Sequence, residues 1–546
     1  MSSLHAFGGR ASRAPAALLW TGAVLAGLAQ AASIAWPWGG EPLWWLQLAS
    51  LAAFARILLA ARGAWQAAGF GAAFATAWLA GTFWWLFISM HTYGGLAAPL
   101  AVLAVLGLAA FLGSYYAAAA AVFQRFHAHV AGNRTFLAII FGALWLLAEL
   151  ARGVWWTGFP WGAGGYAHVE GPFAVLARWV GVYGIGAVAA GLAMLAVQLR
   201  WADLRRPRCW AVGAAFAVAW AGLAVQRHCA VELCHTPMRA PAKLSVALLQ
   251  GNIPQDEKFQ AGSGVPLALR WYGDALRSVQ ATLVVAPETA VPLLPQQLMP
   301  GYLESIAAHY TGSAGEGGGS APPRAALLGI PLGDAEQGYT NSVIGFAPGQ
   351  PVRYQYDKHH LVPFGEFIPP LFRWFTELMN IPLGDFNRGA VGQAPFAWAG
   401  QRIAPNICYE DLFGEELAAR FRDPAAAPTV FVNVSNIAWF GDSVAIDQHL
   451  SISRMRALEF ERPMVRATNT GATALIDHRG VVTQRLPSLE RGILLGDVEG
   501  RDGAPTPFAW WAARAGLWPL WGLGALVVAG ASLVAGASLV ARRRRR

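Results

Sequence analysis

Eight apolar runs, each near the length that a helix needs to cross a bilayer, constrain this chain more than any other feature. A membrane-spanning helix takes about 20 mostly apolar residues. With 55% hydrophobic and 13% charged residues, the 546-residue chain is too apolar for a soluble protein and too long for one ordinary domain. We therefore expect a polytopic α-helical membrane protein. The runs lie at residues 15–34, 43–61, 64–90, 96–123, 135–151, 172–199, 209–226 and 516–541.

The arginine positions predict which way the helices cross the membrane. Basic loops stay on the cytoplasmic side, and arginines occur before the first run and then in every second turn, whereas turns 35–42 and 91–95 contain no Lys or Arg. Seven crossings then bring residue 240 to the outer face, and the eighth returns the chain to a cytoplasmic arginine tail. A cleavable signal peptide over the first run is the alternative, and it would unbalance this topology. The arginine-bearing segments are 10–13, 56–62, 125–134, 200–208 and 542–546.

Polar and turn-forming residues become more frequent between residues 241 and 510. Short Val-, Ile- and Leu-rich runs there alternate with helical patterns, which indicates a layered α/β domain with sheets covered on both faces. We expect a membrane domain over 1–240, a catalytic domain over 241–510, and a last helix with its arginine tail over 511–546. Strands are predicted at 244–250, 282–286, 325–332, 402–407 and 429–434, helices at 411–421 and 448–461, and a flexible insertion at 311–323.

Three strand ends carry reactive side chains: VVAPET (284–289) has Glu288, VRYQYDK (352–358) ends at Lys358, and APNICYED (404–411) has Cys408. Active sites of layered α/β domains collect where strands end. Lys358 is the sharpest of these signals, because only three of the 40 basic residues are lysines. A compact ammonium fits beside a sulfur or an oxyanion where the broad guanidinium does not. For Cys408, we expect the N-terminus of the following helix to favour the thiolate.

The motifs around these residues resemble the bacterial apolipoprotein N-acyltransferase family, within the nitrilase or carbon-nitrogen hydrolase superfamily. The resemblance covers nearly the whole chain, and the joint match is far more specific than any one string. It implies an extracytoplasmic nitrilase-like α-β-β-α sandwich set between membrane helices. The motifs are QGNIPQ (250–255), PET (287–289), KHHLVPFGEFIP (358–369), ICYED (407–411), SNIAWFGD (435–442), RALEFERPMVRATNTG (456–471) and TGFPWGAGGY (157–166).

The resemblance also implies roles for particular residues. Two positions depart from the family pattern: Phe259 stands where the family tends to have Trp, and Ile437 where it tends to have an acidic residue. Phe259 keeps an apolar ring, whereas Ile437 cannot make the hydrogen bond of a carboxylate. The implied catalytic triad is Glu288, Lys358 and Cys408, the supporting groups are Glu366, Glu410 and Tyr409, and the substrate-binding positions are Trp439 and Phe259.

The implied reaction moves a fatty acyl chain from a phospholipid to the α-amine of an N-terminal S-diacylglyceryl-cysteine on an apolipoprotein. A covalent intermediate suits two large substrates that visit in turn. Glu288 takes the thiol proton, Cys408 attacks the ester, and Lys358 stabilises the oxyanion. The expected partners are the phospholipid donor, the diacylglyceryl-modified apolipoproteins and the bilayer of the bacterial inner membrane, with the catalytic domain on the periplasmic side. We expect a monomer with no nucleic-acid partner, no cofactor and no metal.

The segment 369–386, between Lys358 and Cys408, has apolar residues at helical spacing. We expect Phe372 and Phe375 in this segment to bind lipid, as part of an arm that dips into the bilayer. The alternative is a helix that packs on its own domain. The sequence also leaves open whether Cys229 and Cys234 form a disulfide.

Two other functional classes remain as alternatives. A membrane-tethered amidase or hydrolase would use the same triad but resolve the thioester with water. A transporter or sensor with a degenerate outer domain is disfavoured, because the triad is complete and the apolar runs carry few of the charges that mark ion pathways.

Overall fold

The computed structural model describes residues 15–130, 132–205, 207, 220–222, 243–311, 323–349, 353–368 and 385–544. Most of the seventh apolar run, the predicted insertion, the two phenylalanines of the predicted arm and the pair Cys229 and Cys234 lie outside these residues. The expectations about them stay predictions.

Seven of the eight apolar runs correspond to helices among the described residues. The third helix ends eight residues before its run does, at Thr82, and a π-helical turn follows at Ile88–Tyr93. In chain order the helices are α1 (Ala16–Ile34), α2 (Trp44–Ala60), α3 (Ala64–Thr82), α4 (Ala98–Val130), α5 (Arg134–Val154), α6 (Ala177–Ala196), α7 (Trp201–Leu204), α8 (Gly264–Ser278), α9 (Tyr302–Thr311), α10 (Gly414–Ala418), α11 (Ala445–Phe460), α12 (Pro507–Ala515) and α13 (Trp518–Arg544).

The outer faces of several of these helices suit lipid. Five of the described helices, which include α1, α4 and α13, are long and apolar enough to cross a membrane. Their outward side chains include leucines such as Leu25 and Leu533, which are 60% and 77% exposed. Contiguous exposed apolar surface of this kind marks contact with a membrane or a partner rather than with water.

The second half of the described chain forms two six-stranded mixed sheets. In each sheet three neighbouring strands run parallel, β1, β2 and β3 in one and β7, β8 and β9 in the other, and antiparallel strands flank them. The strand orders are β12-β1-β2-β3-β4-β5 and β11-β10-β9-β8-β7-β6. The strands are β1 (Lys243–Gln250), β2 (Leu283–Val285), β3 (Ala325–Asp334), β4 (Gly338–Phe346), β5 (Tyr354–Asp357), β6 (Phe396–Trp398), β7 (Gln401–Ile407), β8 (Val430–Ser435), β9 (Met464–Thr468), β10 (Ala474–Ile476), β11 (Val482–Arg485) and β12 (Gly492–Glu499).

The layers follow the expected α-β-β-α order. Apolar side chains from both sheets, such as Val246 and Val432, meet in a buried core between them. Helices α8 and α9 cover the outer face of the first sheet, and α11 covers the outer face of the second. Because both sheets are covered on both faces, their central strands are apolar almost throughout, which is the pattern that identified them in the sequence.

The helix predicted over 411–421 is broken in the structure. A 3₁₀ turn (Cys408–Leu412), α10 and a second 3₁₀ turn (Ala419–Phe421) replace it. The break falls at Phe413, whose backbone is not helical (φ −103°, ψ 78°) and whose ring stacks on His360 at a centroid distance of 3.4 Å. This aromatic contact with the loop after β5 outweighs the local helical pattern.

Helix α11 also belongs to the membrane domain's core. Gln448 is 2% exposed, and its Oε1 accepts hydrogen bonds from the indole nitrogens of Trp85, at 3.0 Å, and Trp161, at 2.7 Å. Its Nε2 donates to the carbonyl of Thr82, at the end of α3, at 2.8 Å. One glutamine therefore satisfies three buried polar groups of the membrane domain.

We predict that Gln448→Met destabilises the protein, because a similar volume without polar atoms would leave two indole N–H groups and one carbonyl buried without partners. Each such group costs about 1–3 kcal/mol, so the apparent melting temperature in detergent should fall by several degrees. Gln296→Met is the matched control, since Gln296 is exposed and makes one hydrogen bond, to the carbonyl of Gly333. Equal melting temperatures for the two variants would contradict the role of Gln448.

Candidate active site

A buried ammonium lies at the centre of the site. Lys358 directly follows β5, and its side chain is 1% exposed. Its Nζ donates to Oε1 of Glu288 at 3.2 Å and to Oε1 of Glu366 at 2.9 Å. Asn341 of β4 donates its Nδ2 to the same two oxygens, each at 2.7 Å. Two of the predicted groups, one triad carboxylate and one supporting carboxylate, thus share one cation.

The charges of this cluster stabilise one another. Burial disfavours ionisation of Glu288, but the ammonium of Lys358, the Asn341 amide and the backbone N–H of Asn436, which donates to Oε2 at 2.8 Å, hold its pKa below the usual value. Burial likewise works against the charge of Lys358, and the two carboxylates outweigh it and raise its pKa. At neutral pH Glu288 is therefore a carboxylate and Lys358 an ammonium.

Cys408 follows β7 and adopts a left-handed backbone conformation, with φ of 52°. This region costs a non-glycine residue about 1–3 kcal/mol and persists where the surroundings hold it. Burial first, and then the negative charge of Glu288, raise the pKa of the Cys408 thiol to about 12, against the opposing effect of Lys358. The electrostatic coupling shows that the third triad residue lies beside the other two.

The expectation that a helix N-terminus makes Cys408 a thiolate was wrong. A five-residue 3₁₀ turn follows the cysteine instead of a long helix, and burial beside a carboxylate outweighs any dipole. At neutral pH the thiol of Cys408 is therefore protonated.

Glu410 connects the backbone beside Cys408 to the backbone beside Lys358. Its Oε2 accepts from the N–H of Ile407, at 2.6 Å, and from the hydroxyl of Tyr356, at 2.8 Å. Its Oε1 accepts from the N–H of His359 at 2.7 Å. One buried carboxylate therefore fixes the residue before Cys408 and the residue after Lys358, which sets the distance between the two strand ends.

The buried side chain of His449 contacts the backbone carbonyl of Cys408. Arg466 Nη2 lies 3.1 Å from Nδ1 of His449, and a guanidinium only donates, so Nδ1 accepts and Nε2 carries the proton. The Nε2–H faces the carbonyl oxygen of Cys408 at 3.1 Å and Oδ1 of Asp411 at 3.0 Å. These side chains are at most 1% exposed, so the strained conformation of Cys408 is held by a rigid network.

The remaining predicted site residues lie around the triad rather than in it. The Tyr409 hydroxyl donates to the carbonyl of Gly158 in the membrane domain, at 3.1 Å, so it ties the nucleophile's neighbour to that domain. The Trp439 ring meets Tyr93 edge-on, at 6.1 Å between centroids. Phe259 is partly buried beside the site, and Ile437 is buried in the apolar core.

Sequence reasoning missed several polar side chains of the site. Nothing in the local patterns of Asn341 and His449 marks them as site residues. Asn436 lies within the motif SNIAWFGD (435–442), which gave it no separate role. Lys258 is also buried at the site, and the scarcity of lysine that drew attention to Lys358 applies to it equally. Among the described residues, no group of three or more His, Cys, Asp or Glu side chains is arranged to hold a metal ion.

We predict that alkylation of Cys408 by iodoacetamide is slow near neutral pH, because the thiolate is the reactive form and the pKa of this thiol is raised to about 12. Between pH 9 and pH 10 its rate should rise nearly tenfold, whereas the rate of an ordinary thiol with a pKa of about 8.5 rises only about 1.3-fold over that interval. Peptide-resolved mass spectrometry, with glutathione in the same tube as a reference, measures both rates. A plateau for Cys408 below pH 8 would show that the site favours the thiolate.

We predict that Glu410→Gln slows the first chemical step at Cys408, since an amide presents an NH₂ group to donors that now meet a carboxylate oxygen. Misplacement of a reacting group by about 1 Å lowers the reaction rate roughly 100-fold. The rate of covalent modification of Cys408 by a phospholipid or an activated ester, followed by intact mass, measures the effect. Glu490→Gln, at an exposed carboxylate away from the site, is the control and should leave the rate unchanged.

Comparison with known proteins connects both halves of the chain to the same kind of protein. A family model described as the apolipoprotein N-acyltransferase N-terminal domain matches residues 22–195, and one described as carbon-nitrogen hydrolase matches residues 245–507. The chain is 66% identical over 522 residues to an apolipoprotein N-acyltransferase of Verminephrobacter eiseniae, with 93% of this chain and 95% of that protein covered.

Two further relatives carry the same name. An apolipoprotein N-acyltransferase of Ralstonia nicotianae is 46% identical over 486 residues, which cover 89% of this chain and 88% of the relative. One from Bordetella bronchiseptica is 38% identical over 526 residues, which cover 89% of this chain and 92% of the relative. The similarity extends over the membrane helices and the two-sheet domain alike.

Proposed function

The chain belongs to the apolipoprotein N-acyltransferase family, and we propose that it carries out the transfer through a thioester on Cys408. The enzyme is an acyltransferase of lipoprotein maturation. The donor in this proposal is a phospholipid, and the acceptor is the α-amine of an N-terminal S-diacylglyceryl-cysteine on an apolipoprotein. The observation that carries the proposal is the Lys358 ammonium, held between the carboxylates of Glu288 and Glu366 beside a buried thiol.

The acylation half-reaction needs a base and a stabilising cation. Glu288 is a carboxylate beside the neutral thiol of Cys408, so it takes the thiol proton as the sulfur attacks the ester carbonyl. Lys358 supplies positive charge to the oxyanion of the tetrahedral intermediate. The C–O bond then breaks, the proton on Glu288 passes to the leaving oxygen, and lyso-phospholipid departs.

Glu366 has a different role, which its contacts suggest. It shares the ammonium of Lys358 and the amide of Asn341 with Glu288, and its Oε2 accepts from the N–H of Val362 at 2.8 Å. Glu366 therefore anchors the cation while Glu288 exchanges protons. The ammonium keeps one carboxylate partner even when Glu288 is protonated, which avoids an unpaired buried charge.

The transfer half-reaction uses the same groups with a new nucleophile. The α-amine attacks the thioester carbonyl, Glu288 takes a proton from the attacking nitrogen, and Lys358 again faces the oxyanion. The C–S bond breaks, and the sulfur recovers its proton from Glu288. Two substrates that each occupy the site in turn give ping-pong kinetics.

The proposed setting is the bacterial inner membrane, with eight crossings and the catalytic domain on the periplasmic side, where apolipoproteins present their N-termini. Its support is the alternation of arginine-bearing and arginine-free turns. In this proposal residues 1–240 form a seven-helix membrane domain, 241–510 the catalytic domain, and 511–546 the last helix and tail of a monomer. The segment 369–386, with Phe372 and Phe375, is the proposed lipid-binding arm.

We predict that incubation with phospholipid alone adds one fatty acyl mass to Cys408, and that Cys408→Ala acquires none and transfers none. Addition of a synthetic S-diacylglyceryl-cysteine peptide should then move the acyl group to the peptide's α-amine. Intact-mass measurement of protein and peptide follows both steps. Release of free fatty acid without modification of the peptide would instead favour the hydrolase, and the absence of any adduct on Cys408 would exclude the thioester scheme.

A further inference from the structure

The three lysines of this chain have very different environments. Lys243 is on the surface, with its side chain 68% exposed, and it pairs with Glu499 at 3.4 Å. Lys358 and Lys258 are each 1% exposed. In a chain that uses arginine for nearly all its positive charge, both buried lysines lie at the reaction centre, and the mechanism above uses only one of them.

Lys258 contacts the same glutamate as Lys358, but at its backbone carbonyl rather than at its carboxylate. Lys258 lies in the segment between β1 and α8, and its Nζ donates to the backbone carbonyl of Glu288 at 3.2 Å. Within the described part of the chain this is the one hydrogen bond of Nζ. In contrast to Lys358, the group makes no ion pair among those residues. The Nζ of Lys258 can therefore make further hydrogen bonds beside Glu288.

The environment of Lys258 favours the neutral amine. Burial lowers the pKa of Lys258 to about 7, and the negative charge of Glu288 offsets this only in part. The Glu288 carboxylate pairs with Lys358, whereas Lys258 bonds to the backbone carbonyl of Glu288. Near neutral pH, about half of the Lys258 side chains can accept a proton.

The chemistry of the transfer step requires such an acceptor. An α-amine has an ordinary pKa of about 7.7–8.0, so it arrives mostly as an ammonium, and an ammonium cannot attack a carbonyl. It must lose one proton before attack and a second as the C–N bond forms. Glu288 returns to the carboxylate after each half-reaction and handles one proton at a time, so the triad does not account for the first of these protons.

We propose that Lys258 is the proton acceptor for the incoming α-ammonium of the lipoprotein substrate. This inference rests on the proposed function and extends it to a residue that acts only in the second half-reaction. It also gives a chemical reason why a lysine, and not an arginine, occupies position 258: a guanidinium stays protonated in proteins and cannot accept a proton.

The proton balance closes with this assignment. The ammonium gives one proton to Nζ of Lys258, and the free amine forms the C–N bond. Glu288 takes the second proton and returns it to the Cys408 sulfur as the C–S bond breaks. Lys258 ends the turnover as an ammonium and releases its proton to solvent, which is the one net proton that conversion of an ester and an ammonium to an alcohol and an amide must release.

The test separates the two half-reactions in Lys258→Met. The enzyme is first acylated with phospholipid and freed of lipid, then mixed with a synthetic S-diacylglyceryl-cysteine peptide in single-turnover experiments between about pH 6 and pH 9. We expect normal acylation of Cys408 but transfer roughly tenfold slower near pH 7, where only about a tenth of an α-amine with a pKa near 8 is neutral. Near pH 9 about nine-tenths of the free α-amine is already neutral, so the transfer rate of the variant should come within about twofold of the wild-type rate.

Two further variants and the wild-type profile sharpen the test. Lys258→Arg keeps the charge but not the proton acceptor, and it should show the same pH-dependent deficit as the Met variant. Lys243→Met, at the exposed lysine, should behave as wild type. In the wild-type enzyme, transfer should fall as the pH drops below about 7, because Lys258 is then protonated before the substrate arrives.

The possible failures are distinguishable. If the transfer rate of Lys258→Met were reduced equally at every pH, the proposal would be overturned in favour of a packing role for Lys258. If Lys258→Arg transferred at the full rate, it would be overturned in favour of a charge role. Loss of acylation in Lys258→Met, or a wild-type transfer rate that does not fall below pH 7, would overturn it too. Absence of an acyl adduct on wild-type Cys408 would instead contradict the thioester scheme itself.

Discussion

The buried ammonium of Lys358 is the interaction on which the rest of the site depends. Two carboxylates share it, so the cluster around it keeps a net negative charge, and that charge, together with burial, is why the nearby thiol stays protonated. A buried ion that loses its partner costs several kcal/mol, so Glu288, Glu366 and Lys358 hold one another in place. In the proposed mechanism the thiol reacts when Glu288 takes its proton, which couples activation of the sulfur to the arrival of a carbonyl rather than to pH.

The membrane domain and the nucleophile are joined through one helix. On α11, Gln448 binds the indoles and the helix end of the membrane domain, and the next residue, His449, donates to the carbonyl of Cys408. Tyr409 adds a second connection, to Gly158. The catalytic domain is therefore fixed against the membrane helices at the position of its nucleophile.

Most of the fold could be predicted from local sequence, because the signals that identify it are local. Apolar runs of helical length predicted seven of the described helices, and five predicted strands match β1, β2, β3, β7 and β8. The failures occurred where distant contacts decide the backbone. The helix predicted after Cys408 is broken at Phe413, which stacks on His360 from another strand end, and the dipole argument for a thiolate failed with that helix.

The sequence alone determined which residue types stand at the strand ends, and motifs together with the scarcity of lysine were enough to select Glu288, Lys358 and Cys408. Only the tertiary structure decided their chemical states. Ionisation depends on burial and on neighbours within a few ångströms, and those neighbours come from strands far apart in the chain, such as Asn341 in β4. For the same reason Lys258, some 30 positions before Glu288 along the chain, became recognisable as part of the site only when folding buried it against that residue's backbone.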